Sequence, residues 1–445
     1  MQDRFGLPVT CDAPAALSRY IEAVDLLLSA NHGAAERLDA ALALAPDFAL
    51  AHAARARLLQ MYARPAEAKA AAAEARRLAA AVSRRERGHI EAVALAVDGR
   101  GADAMAQVER HVAEFPRDAL PLSLALGVYG LLGFSGRVDH HEAQLALLQG
   151  LASKWDADWW FLTYLGWALV ETGAPARGVP LIDRALELNP RNAHGAHARA
   201  HAFYELGEAA AGHDFVGAWL PAYDRQSQLH CHLTWHQALF ALQLGNTDTA
   251  LALYADAIRP EVATSPPLFS LADAASLLWR LGLYGHPVDA AAWQAVQALA
   301  LRAFPHAGQA FADVHATLSA ASTGATPEAR IDELDALCAA GRLPAGTVVP
   351  ALCRGLAALG AGRPDAAAAL LAPALAEIAR IGGSHAQRDV IEDSLIIAYL
   401  RAGDRAKAKA AMHRRAAHRA THLDEAWLGR IGKAGTPGLG TERAV

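Results

Sequence analysis

The sequence predicts an all-α protein: a right-handed α-solenoid in which helix pairs repeat along the chain. Three observations carry that reading. Proline steps after Ala/Leu-rich helix ends recur at Pro46, Pro116, Pro190 and Pro260, which stand 70, 74 and 70 residues apart. Each separation is close to two helix–turn–helix units of roughly 34 residues, and proline fits just past a helix end because it cannot continue one. Between residues 158 and 245, three helix-length segments each close on a glycine: Gly173, Gly207 and Gly245. Finally, alanine, the best helix former, is abundant, while no sustained apolar/polar alternation and no Asn-Gly hairpin argues for strands.

In order along the chain, helical pairs are read over 14–45, 47–81 and 84–115. Pro14 can open its segment, since proline is tolerated at the first helical position. The clearest unit is 159–191: Leu165-Gly166, Gly173, Gly178, Ala185 and Pro190 stand where a tetratricopeptide repeat puts its Leu-Gly, turn Gly, small residue, Ala and Pro. Taking the three glycines as one turn, units start near 159, 193 and 231. A fourth is expected near Leu268 with Gly282 at its turn. Further helical segments are read over 289–322, 327–341 (opened by Pro327), 347–381 and 384–420. Residues 1–432 thus read as one continuous tetratricopeptide-like solenoid, and the Gly-rich stretch 433–445 as a disordered tail.

Composition narrows the function. Across 445 residues the net charge is −5, with 53% hydrophobic and 7% aromatic residues. That balance argues against nucleic acid or an anionic membrane as a partner. No run of 18 apolar residues lacks charge, so no spanning helix is expected. The first residues lack an apolar signal core. Four well-separated cysteines show no CxxC pair and indicate neither disulfide framework nor zinc finger. A cytoplasmic setting is the simplest expectation. GxSxG, P-loop and GxGxxG motifs are absent, so hydrolase, NTPase and dinucleotide readings have no support.

Several segments resemble the tetratricopeptide repeat protein 38 family: DRFGLPVT, then SRRERGHIEAV with Arg85, Glu86 and His89; NAHGAHARAHAFYELG with His197 and His201; and HLTWHQALF with His232, Trp235 and His236. LADAASLLWRL follows with Asp273, Ser276 and Arg280, then FADVHATLSA with Asp313 and His315, and GGSHAQRDV with Ser384, Gln387, Arg388 and Asp389. The likeness runs in unbroken order over roughly 3–399. It implies a cytosolic, wholly helical protein, and it implies no reaction.

Tetratricopeptide proteins line their concave groove with the first helix of each unit. The inward positions here are Trp160, Thr163, Trp167, Val170 and Glu171 in the unit from 159, then His194, His197, His201, Tyr204 and Glu205 in the next, then His232 and Trp235. His197/His201 and His232/His236 are two HxxxH pairs, a spacing at which one helix face can chelate one ion. Three readings stay open. In the first, a divalent metal ion sits on His197, His201, His232 and His236, with Asp273, Asp313 or His315 completing the shell; imidazole suits several ions, so which one is undecided. In the second, His201, His232, His236, Asp313 and His315 do metal-free acid–base chemistry. A small molecule would then lie against Trp160, Trp167, Tyr204, Trp235, Asp273 and Arg280, with Gln387, Arg388 and Asp389 closing the site. In the third, the rings are packing, and the chain is a non-catalytic scaffold that binds a peptide in its groove. An end unit offers a route to a homodimer that nothing in the sequence decides. Weaker candidates are read as structural: Arg85-Glu86 with His89 as a capping and ion-pair feature, Asp139-His140-His141 as a solvated turn, Cys338 and Cys353 as core, and 406–422 as a solvated basic helix.

Overall fold

The computed structural model describes residues 1–418 and Trp427. The fold is all-α. Among the described residues every regular element is helical, apart from one isolated bridge between Gln2 and Pro8. No helix among them is long and apolar enough to cross a membrane.

The chain forms two compact units. The first comprises Met1–Arg199, Pro221–His230 and Thr264–Pro267. It holds α1 (Pro14–Leu28), α2 (Ala34–Leu44), α3 (Ala49–Met61), α4 (Pro65–Leu78), α5 (Arg84–Val97), α6 (Gly101–Glu114), α7 (Ala119–Ala125), α8 (His140–Leu151), α9 (Trp159–Glu171) and α10 (Pro175–Leu188). Consecutive helices pair as hairpins, α1 with α2, α3 with α4, α5 with α6 and α9 with α10; the first three hairpins pack in sequence, α7 packs on α5 and α6, and α8 packs on α9. That is the local arrangement of an α-solenoid.

The α9–α10 hairpin shows why the sequence takes this form. Gly173 ends α9 at φ +80°, a left-handed conformation that favours glycine. There the Ala174 N–H donates to the Leu169 carbonyl at 2.8 Å and the Gly173 N–H to Val170 at 3.1 Å, the paired bonds of a Schellman cap. Pro175 then opens α10. The two backbones meet at Gly166 and Gly178: a Cβ on Gly178 would lie 2.4 Å from the Gly166 carbonyl oxygen. Only hydrogen fits there, and the close approach buries Ile182 and Ala185 completely. Burying the Ile182 side chain alone contributes about 1.5–3 kcal/mol.

The second unit comprises Ala200–Leu220, Cys231–Ala263 and Leu268–Val445. α11 (Ala193–Leu206) enters it at Ala200, followed by α12 (Ala209–Trp219), α13 (His230–Gln243) and α14 (Thr247–Leu253), which runs into a π turn over Tyr254–Ile258. Then come α15 (Pro267–Leu283), α16 (Ala290–Ala303), α17 (Ala310–Thr323), α18 (Glu328–Ala339), α19 (Val348–Gly360), α20 (Pro364–Leu375), α21 (His385–Arg401) and α22 (Arg405–His418). α16, α17, α19, α20, α21 and α22 pack in sequence, each on the next.

The proline steps fall as expected: Pro46, Pro116, Pro190 and Pro260 each stand two residues past a helical end. Gly207 and Gly245 repeat the left-handed turn of Gly173. Four local expectations are corrected. Gly282 lies inside α15, and the left-handed turn residue is Gly285, because Leu283 and Tyr284 carry the apolar pattern of α15 further. Pro327 is the N-cap of α18 and not its first residue. His140 and His141 are buried at the start of α8, with His141 beside the Trp167 ring (centroids 5.6 Å apart), so they are no solvated turn. Cys353 is core, but Cys338 is only partly buried. The expected disordered tail and the end of the basic segment lie outside the described residues.

Candidate functional site

The site starts from helical spacing. His197 and His201 stand one turn apart on α11, and His232 and His236 one turn apart on α13. One ligand nitrogen from each of the four lies within 4.8 Å of those of the others. His201 and His236 are fully buried and His232 is 1% exposed, while His197 keeps 9%. The His201 and His236 rings meet edge to face with centroids 4.6 Å apart, and His232 and His236 at 4.9 Å.

α15 fixes this face of α13 through two contacts at matched spacing. His232 Nδ1 donates to Asp273 Oδ1 at 2.8 Å, and Trp235 Nε1 donates to Ser276 Oγ at 3.1 Å. Both pairs are separated by three residues on their own helices, so they form a ladder along the α13–α15 contact. The Cys231 thiol also points at Asp273, with Sγ 3.7 Å from Oδ2. Burial raises the Asp273 pKa above the usual carboxylate value, and the charge and hydrogen bond of His232 pull the other way. Trp235 stacks on His232 with ring planes 12° apart and centroids at 5.1 Å. In the neutral ring, with Nδ1–H bound to the carboxylate, His232 Nε2 is left as a lone-pair donor.

The remaining predicted residues fall into other networks. Tyr204 donates its hydroxyl to Asp389 Oδ2 at 2.8 Å, joining α11 to α21 across 185 residues. Arg280 donates through Nη2 to the Ala386 carbonyl at 2.8 Å and pairs with Asp393, and its guanidinium lies 5.8 Å from the Trp235 ring. Gln387 closes a capping box with Ser384, and Arg388 donates to the Gly383 carbonyl. Asp313 accepts from Arg330 Nη1 at 2.6 Å and from the Gly308 N–H at 3.0 Å. His315 donates Nδ1 to the Phe311 carbonyl at 2.7 Å, one turn back on α17. Trp160 and Trp167 are buried in the first unit, Trp160 against Trp155 and Tyr164. The structure thus brings together the four histidines with Asp273 and Trp235. Asp313 and His315 are engaged on α17 and by its neighbours.

Two carboxylates central to buried networks were not legible beforehand. Asp393 accepts from Arg415 at 2.5 Å and from the Tyr284 hydroxyl at 2.9 Å, as well as pairing with Arg280. Asp118 accepts from Arg85, His89 and His111. Neither stands in a spaced motif. The Arg85-Glu86 expectation holds: Ser83 and Glu86 form a capping box at the start of α5.

No family model matches the chain. Among solved structures it is similar to yeast Tom70, at 13% identity and TM-score 0.31, over 94% of each chain. It is also similar to the tetratricopeptide-repeat domain of P58(IPK), at 17% identity and TM-score 0.23, over 87% of this chain and 89% of the other. The fold assignment rests on the chain's own helix pairs.

Proposed function

We propose that this chain is a tetratricopeptide-like protein of the tetratricopeptide repeat protein 38 kind whose four-histidine cluster holds a divalent transition-metal ion, at which a small molecule binds and reacts. The observation that carries the reading is the approach of four imidazole nitrogens to within 4.8 Å of one another. A tetrahedral ion with metal–nitrogen bonds of about 2.0–2.1 Å needs them about 3.3 Å apart, so modest rotamer adjustment closes the shell. Asp273 supports it as the carboxylate behind His232, the partner that orients a ligating imidazole and raises its basicity. His201, His232 and His236 are the fixed ligands. His197, the most exposed of the four at 9%, would be the ligand that yields its place to a water or substrate oxygen. There the ion would supply Lewis acidity, and the Trp235 indole an apolar wall.

A peptide lying in a groove would need these imidazoles open to it, and three of them at 0–1% exposure favour the ion instead. Four free cysteines support a reducing, cytoplasmic setting.

The test is elemental analysis of untagged protein beside the variant His197→Ala/His232→Ala. The expected result is near-stoichiometric metal in the natural protein, lost in a variant that retains its helical circular dichroism. Metal-free protein that neither zinc, cobalt nor manganese stabilises against heat would overturn the reading.

A further inference from the structure

A second set of chemistry-bearing groups lies in the first unit. Asp118, at the start of α7, is 3% exposed. It accepts from Arg85 Nη1 at 2.7 Å, His111 Nε2 at 2.9 Å and His89 Nδ1 at 3.0 Å. Burial alone would raise its pKa. His89, His111 and Arg85 outweigh that and hold it well below the usual range, so it is a fixed anion. His89 is 1% exposed, and its Nε2 is buried without a hydrogen-bond partner. In the neutral ring, with Nδ1–H given to Asp118, that nitrogen carries a lone pair. An acceptor left unmade at this depth costs about 1–3 kcal/mol.

His89 lines a cleft between the N-terminal segment and helices α1, α5 and α7. The segment is a fixed wall. Thr10 donates through N–H and hydroxyl to Glu86 at 2.8 and 2.7 Å, Arg85 Nη2 donates to the Pro8 carbonyl at 2.8 Å, and Asp3 Oδ1 accepts from the Phe5 and Leu7 amides. One side of the cleft is apolar, formed by Phe5, Tyr20, Ile21, Val24 and Leu120. The other carries Asp3, Asp25 and Asp118. Arg4 is shared between Asp25 at 2.5 Å and Asp158 at 2.6 Å, and Arg85 is committed to Asp118. Three carboxylates of the lining therefore face the guanidiniums of Arg4 and Arg85, and the cleft has a surplus of negative charge. Its enclosed depth is about the size of one water molecule, and its mouth is open.

We infer that this cleft binds a small primary ammonium compound, its N–H groups donating to His89 Nε2 and Asp3 and its alkyl stem lying on the Phe5–Tyr20 side. A primary ammonium meets each requirement at once. It is small enough for the depth, cationic as the carboxylates demand, and rich in N–H donors where a buried lone pair has none. The binding is non-covalent.

The probe is n-butylammonium chloride, titrated into the full chain and read by calorimetry and by the histidine ring-nitrogen resonances, His89 being identified by its loss in His89→Gln. The comparators are n-butanol, which lacks the charge, and tetramethylammonium, which lacks N–H. The expected result is binding of n-butylammonium alone, a shift of the His89 Nε2 resonance, and an affinity weakened about tenfold or more in Asp3→Asn. Asparagine retains the oxygen that Phe5 and Leu7 need, so this variant keeps the wall intact and carries the test should His89→Gln fail to fold. No n-butylammonium binding, equal binding of n-butanol or tetramethylammonium, or an unmoved His89 resonance overturns the proposal. The site is independent of the metal cluster, so His197→Ala/His232→Ala should bind the amine unchanged; binding lost in that variant overturns the assignment to this cleft.

Discussion

His232 on α13 and Asp273 on α15 stand 2.8 Å apart, both essentially excluded from solvent, across 41 residues of sequence. A carboxylate placed behind an imidazole does two things. It fixes which nitrogen carries the proton, and it makes the other nitrogen a stronger base.

Asp273→Asn keeps a hydrogen-bond acceptor but removes the charge. Metal affinity, measured by competition with a chromophoric chelator, should fall about 10–100-fold. An unchanged affinity would mean that Asp273 serves only the α13–α15 contact.

His315 gives a pH dependence. Its pKa is pushed down to about 4 by burial and by the Arg280 charge, against a hydrogen bond to Phe311 that pulls upward. The unfolded chain therefore binds a proton that the folded chain refuses between pH 6.5 and about 4. Stability is intact above that window and falls as pH drops through it, by about 3 kcal/mol at most. In His315→Leu the slope of urea-unfolding free energy against pH should flatten there. A slope identical to the natural protein's would refute this account.

Asp118 works in the same direction at lower pH. Its pKa is depressed in the folded state, so its contribution is present above the unfolded value of 3.8 and is lost as pH falls below it. Asp118→Asn should cost about 3–5 kcal/mol at neutral pH, because Arg85 is left buried beside a neutral partner. The gap in Tm between variant and natural protein should narrow below pH 3.8.

Gly178→Ala tests the hairpin contact. The added methyl would meet the Gly166 carbonyl, a backbone atom that cannot step aside, and should cost about 1–3 kcal/mol. Gly173→Ala meets nothing and pays only for its positive φ, about 1–2 kcal/mol. Urea midpoints at constant m distinguish the two if the Gly178 cost lies at the upper end. A harmless Gly178→Ala would refute the close-approach argument.

What the sequence revealed follows from the range of each interaction. The turn glycines Gly173, Gly207 and Gly245, the proline steps and the two HxxxH pairs are local patterns, and each appears in the structure where it was read. The meeting of α11 with α13 was expected only from repeat geometry. Asp118 shows the limit. It occupies the place after a proline step where other units carry Phe48 and Asn192, so nothing in its neighbourhood marks it as the anion for two histidines and an arginine. His140 and His141 were misread because their sequence is that of a polar turn, while Trp167 and Glu171, which lie against His141, come one helix later on α9. Gly282 was misread because two glycines lie three residues apart, and which one ends α15 depends on packing at Leu283 and Tyr284.

The near-parallel stacking of Trp235 on His232 makes the indole an optical probe of the imidazole. A protonated or metal-bound imidazole accepts an electron from an excited indole and dims its fluorescence, whereas a neutral ring does so weakly. Emission that Trp235→Phe removes would thus report the state of His232 in the native chain, with no label attached.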